Sequence, residues 1–336
     1  MMLRIKIFCN FERYIVMADF EIIKCHGSGN DFVMVDTTRE KSFAGVDRSA
    51  FARAVSDRVS GIGSDGVLYV VRHDNGHYAM DMYNPDGTQA EMCGNGMRCV
   101  ARLADERGYI VDGILRSGGR DYPVERAESI AEGIATYAVD IPIAVSSPDF
   151  AFFGSSERWL GKVIESFDKE LKFSALSLGN PHIVASVDRV DLEKLEALGE
   201  AVKQRRDLFP NGVNLSLYER RSEREIFVAT YERGAGITLS CGTAMTASAT
   251  AAALLGIVDA GERIEVKNRG GKVACRTTIG DSITTRLEGN ATFEWWGRAS
   301  FEGGVLKFEK SEITGEDELW QAFRQKLAEE CGSAGR

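Results

Sequence analysis

Two segments of this chain read as copies of one another, and each carries a cysteine at the same place. Met82-Tyr83-Asn84-Pro85-Asp86-Gly87-Thr88-Gln89-Ala90-Glu91-Met92-Cys93-Gly94 is answered by Thr230-Tyr231-Glu232-Arg233-Gly234-Ala235-Gly236-Ile237-Thr238-Leu239-Ser240-Cys241-Gly242. Tyr, Cys and Gly align without a gap, and Cys241 follows Cys93 by 148 residues. Other segments echo at nearly the same interval: Gly29-Asn30 with Gly179-Asn180, and Gly66-Val67 with Gly212-Val213. Ordered echoes at a near-constant offset indicate a duplicated unit. Two related halves facing each other bring two cysteines to one cleft. That geometry suits a reaction needing acid/base groups on opposite faces of one carbon.

The 336 residues, 44% of them hydrophobic, suffice for two domains of ordinary size, each with its own core. A net charge of −9 with no basic block argues against general nucleic-acid binding. No apolar run reaches the length of a membrane span. Arg4, Lys6, Glu12 and Arg13 interrupt any signal-peptide core near the start, and Met17 offers a second start, so residues 1–18 read as an extension. Seven scattered cysteines, an odd number, point to a reducing cytoplasm rather than a disulfide framework. Without a Cys-x-x-Cys spacing, and with only four histidines, a structural metal is not expected.

Hydrophobic periodicity predicts strands over 19–36, broken at Gly27-Ser28-Gly29, then a helix over 47–59 and strands at 67–71 and 78–83. Asn84-Pro85-Asp86-Gly87 is a turn, and a helix follows over 97–107, ended by Gly108. The second half repeats the theme. Strands are expected at 173–178, 182–187, 213–218 and 225–231, with helices at 190–205 and 244–253. Short strands follow at 263–267, 272–278, 282–287, 293–296 and 303–308, then an amphipathic stretch over 316–330 suited to packing on the surface. The expected fold class is α+β, with two pseudosymmetric domains. Each is a curved, mostly antiparallel sheet wrapped around a central helix, and the active site lies in the cleft between them. The boundaries read as 19–143 with returning strands at about 291–310, then 144–290, with 1–18 and 311–336 as extensions.

Each of the two cysteines precedes a glycine-rich turn that opens a helix. The first amides of a helix lack intrahelical partners and carry partial positive charge, so they hold a carboxylate. The same field is expected to lower a thiol pKa. One thiolate then removes the α-proton of an amino acid while the opposite thiol returns a proton to the other face. Amide groups on the carboxylate stabilise the developing charge. The scheme needs neither pyridoxal phosphate nor a metal. The remaining cysteines, Cys9, Cys25, Cys99, Cys275 and Cys331, read as small hydrophobes.

These segments resemble the diaminopimelate epimerase family over roughly residues 19–308. The resemblance rests on His26-Gly27-Ser28-Gly29-Asn30-Asp31-Phe32, Gly61-Ile62-Gly63-Ser64-Asp65-Gly66, Cys93-Gly94-Asn95-Gly96-Met97-Arg98-Cys99, Leu178-Gly179-Asn180-Pro181-His182, Phe209-Pro210-Asn211-Gly212-Val213-Asn214, Tyr231-Glu232-Arg233-Gly234-Ala235-Gly236 and Cys241-Gly242-Thr243. It implies cofactor-independent interconversion of LL- and meso-diaminopimelate, for lysine and peptidoglycan synthesis, by a homodimer of two-domain chains. Cys93 and Cys241 would be the acid/base pair. Asn30, Asn84, Asn180, Asn214 and Arg233, with Glu232 beside them, would bind substrate, chiefly its distal end. Backbone of Gly94, Asn95, Gly242 and Thr243 would hold the proximal carboxylate, and His182 would be accessory. Ile237 and Ala244 depart from the family's usual acidic residue and glycine. The alternatives are a racemase of the same scaffold with another substrate, such as a basic amino acid or histidine, and, more remotely, a dithiol redox protein.

Overall fold

A computed structural model describes residues 19–73, 76–110, 112–145 and 158–333, with side chains as far as Glu329. The extension at 1–18, and with it Cys9, lies outside the described residues, as does the Cys331 side chain. The first half runs β1 (Phe20–Gly27), β2 (Asn30–Asp36), α1 (Arg48–Ser56), β3 (Val67–Arg72), β4 (Tyr78–Tyr83), β5 (Gln89–Ala90), α2 (Gly94–Glu106), β6 (Ile114–Ser117), β7 (Arg120–Arg126) and β8 (Thr136–Ile143). The second runs β9 (Lys162–Ile164), β10 (Asp168–Ser177), β11 (Pro181–Ser186), α3 (Leu192–Lys203), β12 (Asn214–Ser222), β13 (Glu225–Glu232), β14 (Gly236–Ile237), α4 (Gly242–Leu254), β15 (Ile264–Asn268), β16 (Gly271–Ile279) and β17 (Ile283–Asn290). Finally come β18 (Thr292–Glu302), β19 (Val305–Ile313) and α5 (Glu316–Ser333).

The duplication is visible strand by strand. In the first half β1 pairs antiparallel with β2, β2 parallel with β3, β3 antiparallel with β4, and β4 parallel with β6. In the second half β10, β11, β12, β13 and β15 make the same four pairings in the same senses. Both α1 and α3 begin at an aspartate, Asp47 and Asp191, whose carboxylate accepts from two amides of the first turn. Such a cap stabilises a helix by about 1 kcal/mol. The halves join where β8 pairs antiparallel with β17, from Thr136↔Asn290 to Ile143↔Ile283. β18 returns to pair with β1, and β19 pairs with β18.

Each sheet curls around one buried helix. Residues Gly94 to Ala104 of α2 are all buried, as are Gly242 to Ala253 of α4. A helix enclosed on every side cannot show a polar face, which is why α4 has Ala, Thr and Ser all round. Thr246 and Thr250 donate to the carbonyls four residues back, both at 2.8 Å, so these hydroxyls are satisfied inside the core. The main core joins the two helices to both sheets through Met97, Val100, Leu103, Met245, Leu287 and Phe293. Each such side chain contributes about 1.5–3 kcal/mol by leaving water. The helices begin earlier than periodicity predicts, at Gly94 and Gly242, because the glycines and Asn95 are already helical. The surface packing expected for α5 is only part of the picture: Trp320 is fully buried.

Candidate active site

The first residues of α2 and α4 meet head to head. A Cβ added to Gly242 would lie 2.6 Å from Oδ1 of Asn95, so only a hydrogen allows this approach. Cys93 and Cys241 are the residues immediately before the two helices, both in extended backbone. Both line one cleft of about 630 Å³, together with Asn30, Asn84, Gly94, Asn95, Asn180, Glu232, Arg233, Gly242 and Thr243. Asn214 and His182 are not in its wall. The described cysteines are all free thiols.

The two thiols sit in related but unequal surroundings. Cys93 Sγ accepts from the Gly96 amide at 3.5 Å and lies 3.7 Å from Asn30 Oδ1. Cys241 Sγ lies 3.5 Å from Thr243 Oγ1 and faces Glu232. The expectation that the helix field lowers both pKa values is not met. Burial pushes Cys93 up to about 11, against the smaller pull of the Gly96 and Asn95 amides and of Arg98. Cys241 is also raised, first by burial and then by the Glu232 charge, against Thr243 and the Ala244 amide. Desolvation of a thiolate outweighs a helix terminus here. Glu232, itself raised by burial, is held by the Thr238 hydroxyl.

The asparagines form the frame around these thiols. Asn30, at the start of β2, donates to Asp65 at 2.7 Å and accepts from Asn95 Nδ2 at 3.3 Å. Its counterpart in the second half, Asn180, donates to Thr243 Oγ1 at 3.3 Å and lies 3.0 Å from His182 Nε2. Burial and the Arg233 charge hold His182 down at about 3, so the imidazole is neutral and orients Asn180. Asn84 is braced within its turn by Thr88, with Nδ2 3.0 Å from Oγ1. Asn214 is buried, and its Oδ1 accepts from the Arg233 amide at 2.9 Å. It therefore places Arg233, whose guanidinium also donates to Asn211 O at 2.7 Å. Ile237 faces a second cavity that shares Asn30, Asn84, Glu232 and Ser240 with the first, whereas Ala244 is buried at the start of α4.

Sequence reasoning missed Arg98. Its guanidinium is fully buried and donates to Asn95 Oδ1 at 2.9 Å, Ser28 Oγ at 3.1 Å, Asn290 O at 3.2 Å and Gly94 O at 3.4 Å. Desolvation draws it down to about 10. A Cβ at Gly289 would sit 2.8 Å from its Cζ, and one at Gly27 2.9 Å from Nη2. The signal was an arginine at the fifth residue of a helix, in the turn next to Asn95 and one turn before Arg102. Asp65, held by Arg58 at 2.7 Å and by Asn30, was also missed. Among the described residues no cluster of His, Cys, Asp or Glu is arranged to hold a metal ion, and no helix is long and apolar enough to cross a membrane.

Comparison with known proteins places these features. The family model described as diaminopimelate epimerase matches residues 22–115 and 174–294. The chain is 36% identical over 325 residues to the diaminopimelate epimerase of Listeria welshimeri, covering 94% of this chain and 97% of that protein. With the diaminopimelate epimerase of Clostridium acetobutylicum it shares 31% identity, over 96% of this chain and 99% of that protein. Among solved structures, a Bacillus anthracis protein of the PhzF family superposes with a TM-score of 0.58 at 14% identity, covering 88% of this chain and all (100%) of that chain. A hydroxyproline epimerase from Agrobacterium vitis gives 0.57, also at 14% identity, over 85% of this chain and 95% of that one. These structures share the two-domain fold. The chain belongs to the diaminopimelate epimerase family, a family of isomerases.

Proposed function

We propose that this protein interconverts LL- and meso-diaminopimelate by a two-base mechanism in which Cys93 and Cys241 act from opposite faces of the α-carbon. The observation that carries the reading is the apposition of two helix starts, each preceded by a free thiol, in one cleft. The amides of Gly94, Asn95, Gly242 and Thr243 hold the proximal carboxylate at the two positive helix ends. One thiolate takes the α-proton, the electron pair left on carbon spreads into the pinned carboxylate, and the opposite thiol delivers its proton. The product leaves with the thiols in exchanged roles. Asn84, Asn180 and Arg233 hold the distal amino-acid end, with Glu232 beside them. Arg233 suits a carboxylate because its planar fork binds two oxygens. The residues 19–143 with 291–310, and 144–290, are the two units that close on the substrate.

Incubation in deuterated water with LL-diaminopimelate and a panel of L-amino acids tests the substrate. Deuterium is expected at the α-carbon of diaminopimelate alone; exchange across the panel would favour a broader racemase. The pH profile is set by the thiols. The reactive form has one thiolate and one thiol, and burial holds both groups up. kcat/KM is therefore expected to rise with pH through the alkaline range towards about 11, where the Cys93 thiolate forms. A profile that falls over this interval would contradict thiolate catalysis.

The homodimer implied by the family has a natural surface in β19. Among the described residues it pairs only with β18, and Val305, Phe308 and Ile313 are exposed along it. An open edge strand with apolar side chains invites pairing with a second copy. Phe308→Glu is expected to convert a dimer into a monomer in sedimentation; an unchanged dimer would exclude this edge.

A further inference from the structure

We infer that α5 is a clasp across the two halves and that Trp320 is a positioning residue for both thiols. This rests on the two-thiol reading above and extends it to a helix outside the residues that match the family model, which end at 294. The first turn of α5 is tied to the first half. Glu316 receives two N–H groups of Arg102 on α2 at 2.5 and 2.6 Å and accepts from the Phe293 amide at 3.0 Å. Asp317 lies 3.2 Å from Nε2 of His26 on β1. The next turn is tied to the second half. Trp320 packs so closely on the β15–β16 hairpin that a Cβ at Gly271 would lie 2.9 Å from its Cζ2. Lys272 lies over the Phe323 ring at 5.8 Å. Ile130, Ile134 and Phe323 enclose the indole, whose N–H has no partner among the described residues. It is held by shape.

From Trp320 a line of contacts runs to each catalytic cysteine. On one side its ring meets His26 at 5.5 Å. His26 Nδ1 lies 3.1 Å from Asn290 Nδ2, and Asn290 Oδ1 accepts from the Ser28 amide at 2.7 Å. Ser28 and Asn95 share the Arg98 guanidinium, and Asn95 bonds Asn30, beside Cys93. On the other side Gly271 is preceded by Gly270, where a Cβ would lie 2.8 Å from both Leu239 O and Ser240 Cβ. Asn268 Nδ2 donates to Ser240 Oγ at 3.0 Å, and Ser240 is the residue before Cys241. One indole thus packs against the supports of both thiols. Removing it lets each support relax separately, which alters the distance and angle between the two groups that must act on one carbon.

The test compares Trp320→Ala and Trp320→Phe with the native enzyme, reading deuterium entry and stereoinversion at the α-carbon together with thermal unfolding. A misplacement of about 1 Å can cost about 10²-fold, so kcat of Trp320→Ala is expected to fall about 10–100-fold. Exchange without inversion needs one thiol, whereas inversion needs both in register. The ratio of deuterium entry to inversion is therefore expected to rise several-fold, with Trp320→Phe restoring most of it. A folded Trp320→Ala enzyme with kcat and this ratio within twofold of native would overturn the proposal. So would a lowered melting temperature with an unchanged ratio, since that is a purely structural role. Should Trp320→Ala not fold, the double variant Glu316→Gln/Asp317→Asn loosens the first-half attachment from its rim, and the same ratio decides. Absence of exchange in the native enzyme would defeat the two-thiol reading itself, before any variant is made.

Discussion

Cys93→Ala or Cys241→Ala is expected to lower the rate of stereoinversion by about 10²–10⁴-fold, the span typical of a lost general acid or base. Either change removes a small side chain, half-buried at Cys93 and buried at Cys241, at the mouth of a helix, so the fold should persist. Cys93 Sγ accepts one long bond from Gly96 N, and Cys241 Sγ makes no cap hydrogen bond, only a long contact with Thr243 Oγ1 at 3.5 Å. The capping energy lost is therefore small. The two variants should differ in an informative way. Each retains a thiol on one face only, so each can wash deuterium into one stereoisomer without inverting it, and the two should label opposite stereoisomers. Near-native inversion in either variant, measured by polarimetry or chiral separation, would end the two-base scheme. The labelling pattern also assigns the faces.

The second large effect is expected at Arg98. Changing it to Ala strips the donor from four acceptors at once: Asn95 Oδ1, Ser28 Oγ, Asn290 O and Gly94 O. A buried acceptor left unmet costs about 1–3 kcal/mol, so stability is expected to fall by several kcal/mol in denaturant unfolding. A folded fraction should show kcat reduced about 10-fold or more, because Asn95 loses the bond that fixes it between Asn30 and Gly242. Arg98→Lys should recover little. An ammonium cannot reach four acceptors spread around a planar fork, and the glycines at 27 and 289 leave space shaped for guanidinium. A Lys variant with native stability and rate would show that charge alone suffices.

The residues that echo were legible because duplication writes the same constraint twice. Gly29-Asn30 and Gly179-Asn180 both stand at the entry to a second strand, and Cys93 and Cys241 both stand before the buried helix. Each position has a twin to check it. What lacked a twin was harder to read. Arg98 has Thr246 as its counterpart, a residue that simply bonds back to Gly242 O, so no repeat drew attention to it. The direction of the thiol pKa shifts was misjudged because periodicity reports helix starts but not how much protein covers them. Burial is a three-dimensional sum over both halves, and it outweighs the local amides. Trp320 was not singled out within the amphipathic stretch over 316–330. Its role depends on His26 and Gly271, which are distant in sequence.

The seam between the halves carries one more consequence. β8 and β17 are the last strands of the two repeats, and in their ladder Val139 stands opposite Leu287. Those residues are separated by the same interval as the two cysteines, so equivalent positions of the repeats confront each other there. A pseudo-dyad passes through that pair, and the chain has the arrangement of a symmetric dimer of half-length subunits. Fusion makes the association independent of concentration. It also frees the copies to diverge: the same place in the motif supplies Asn84 to one wall of the cleft and Glu232 to the other, with Arg233 next to it, so the two walls carry different charge.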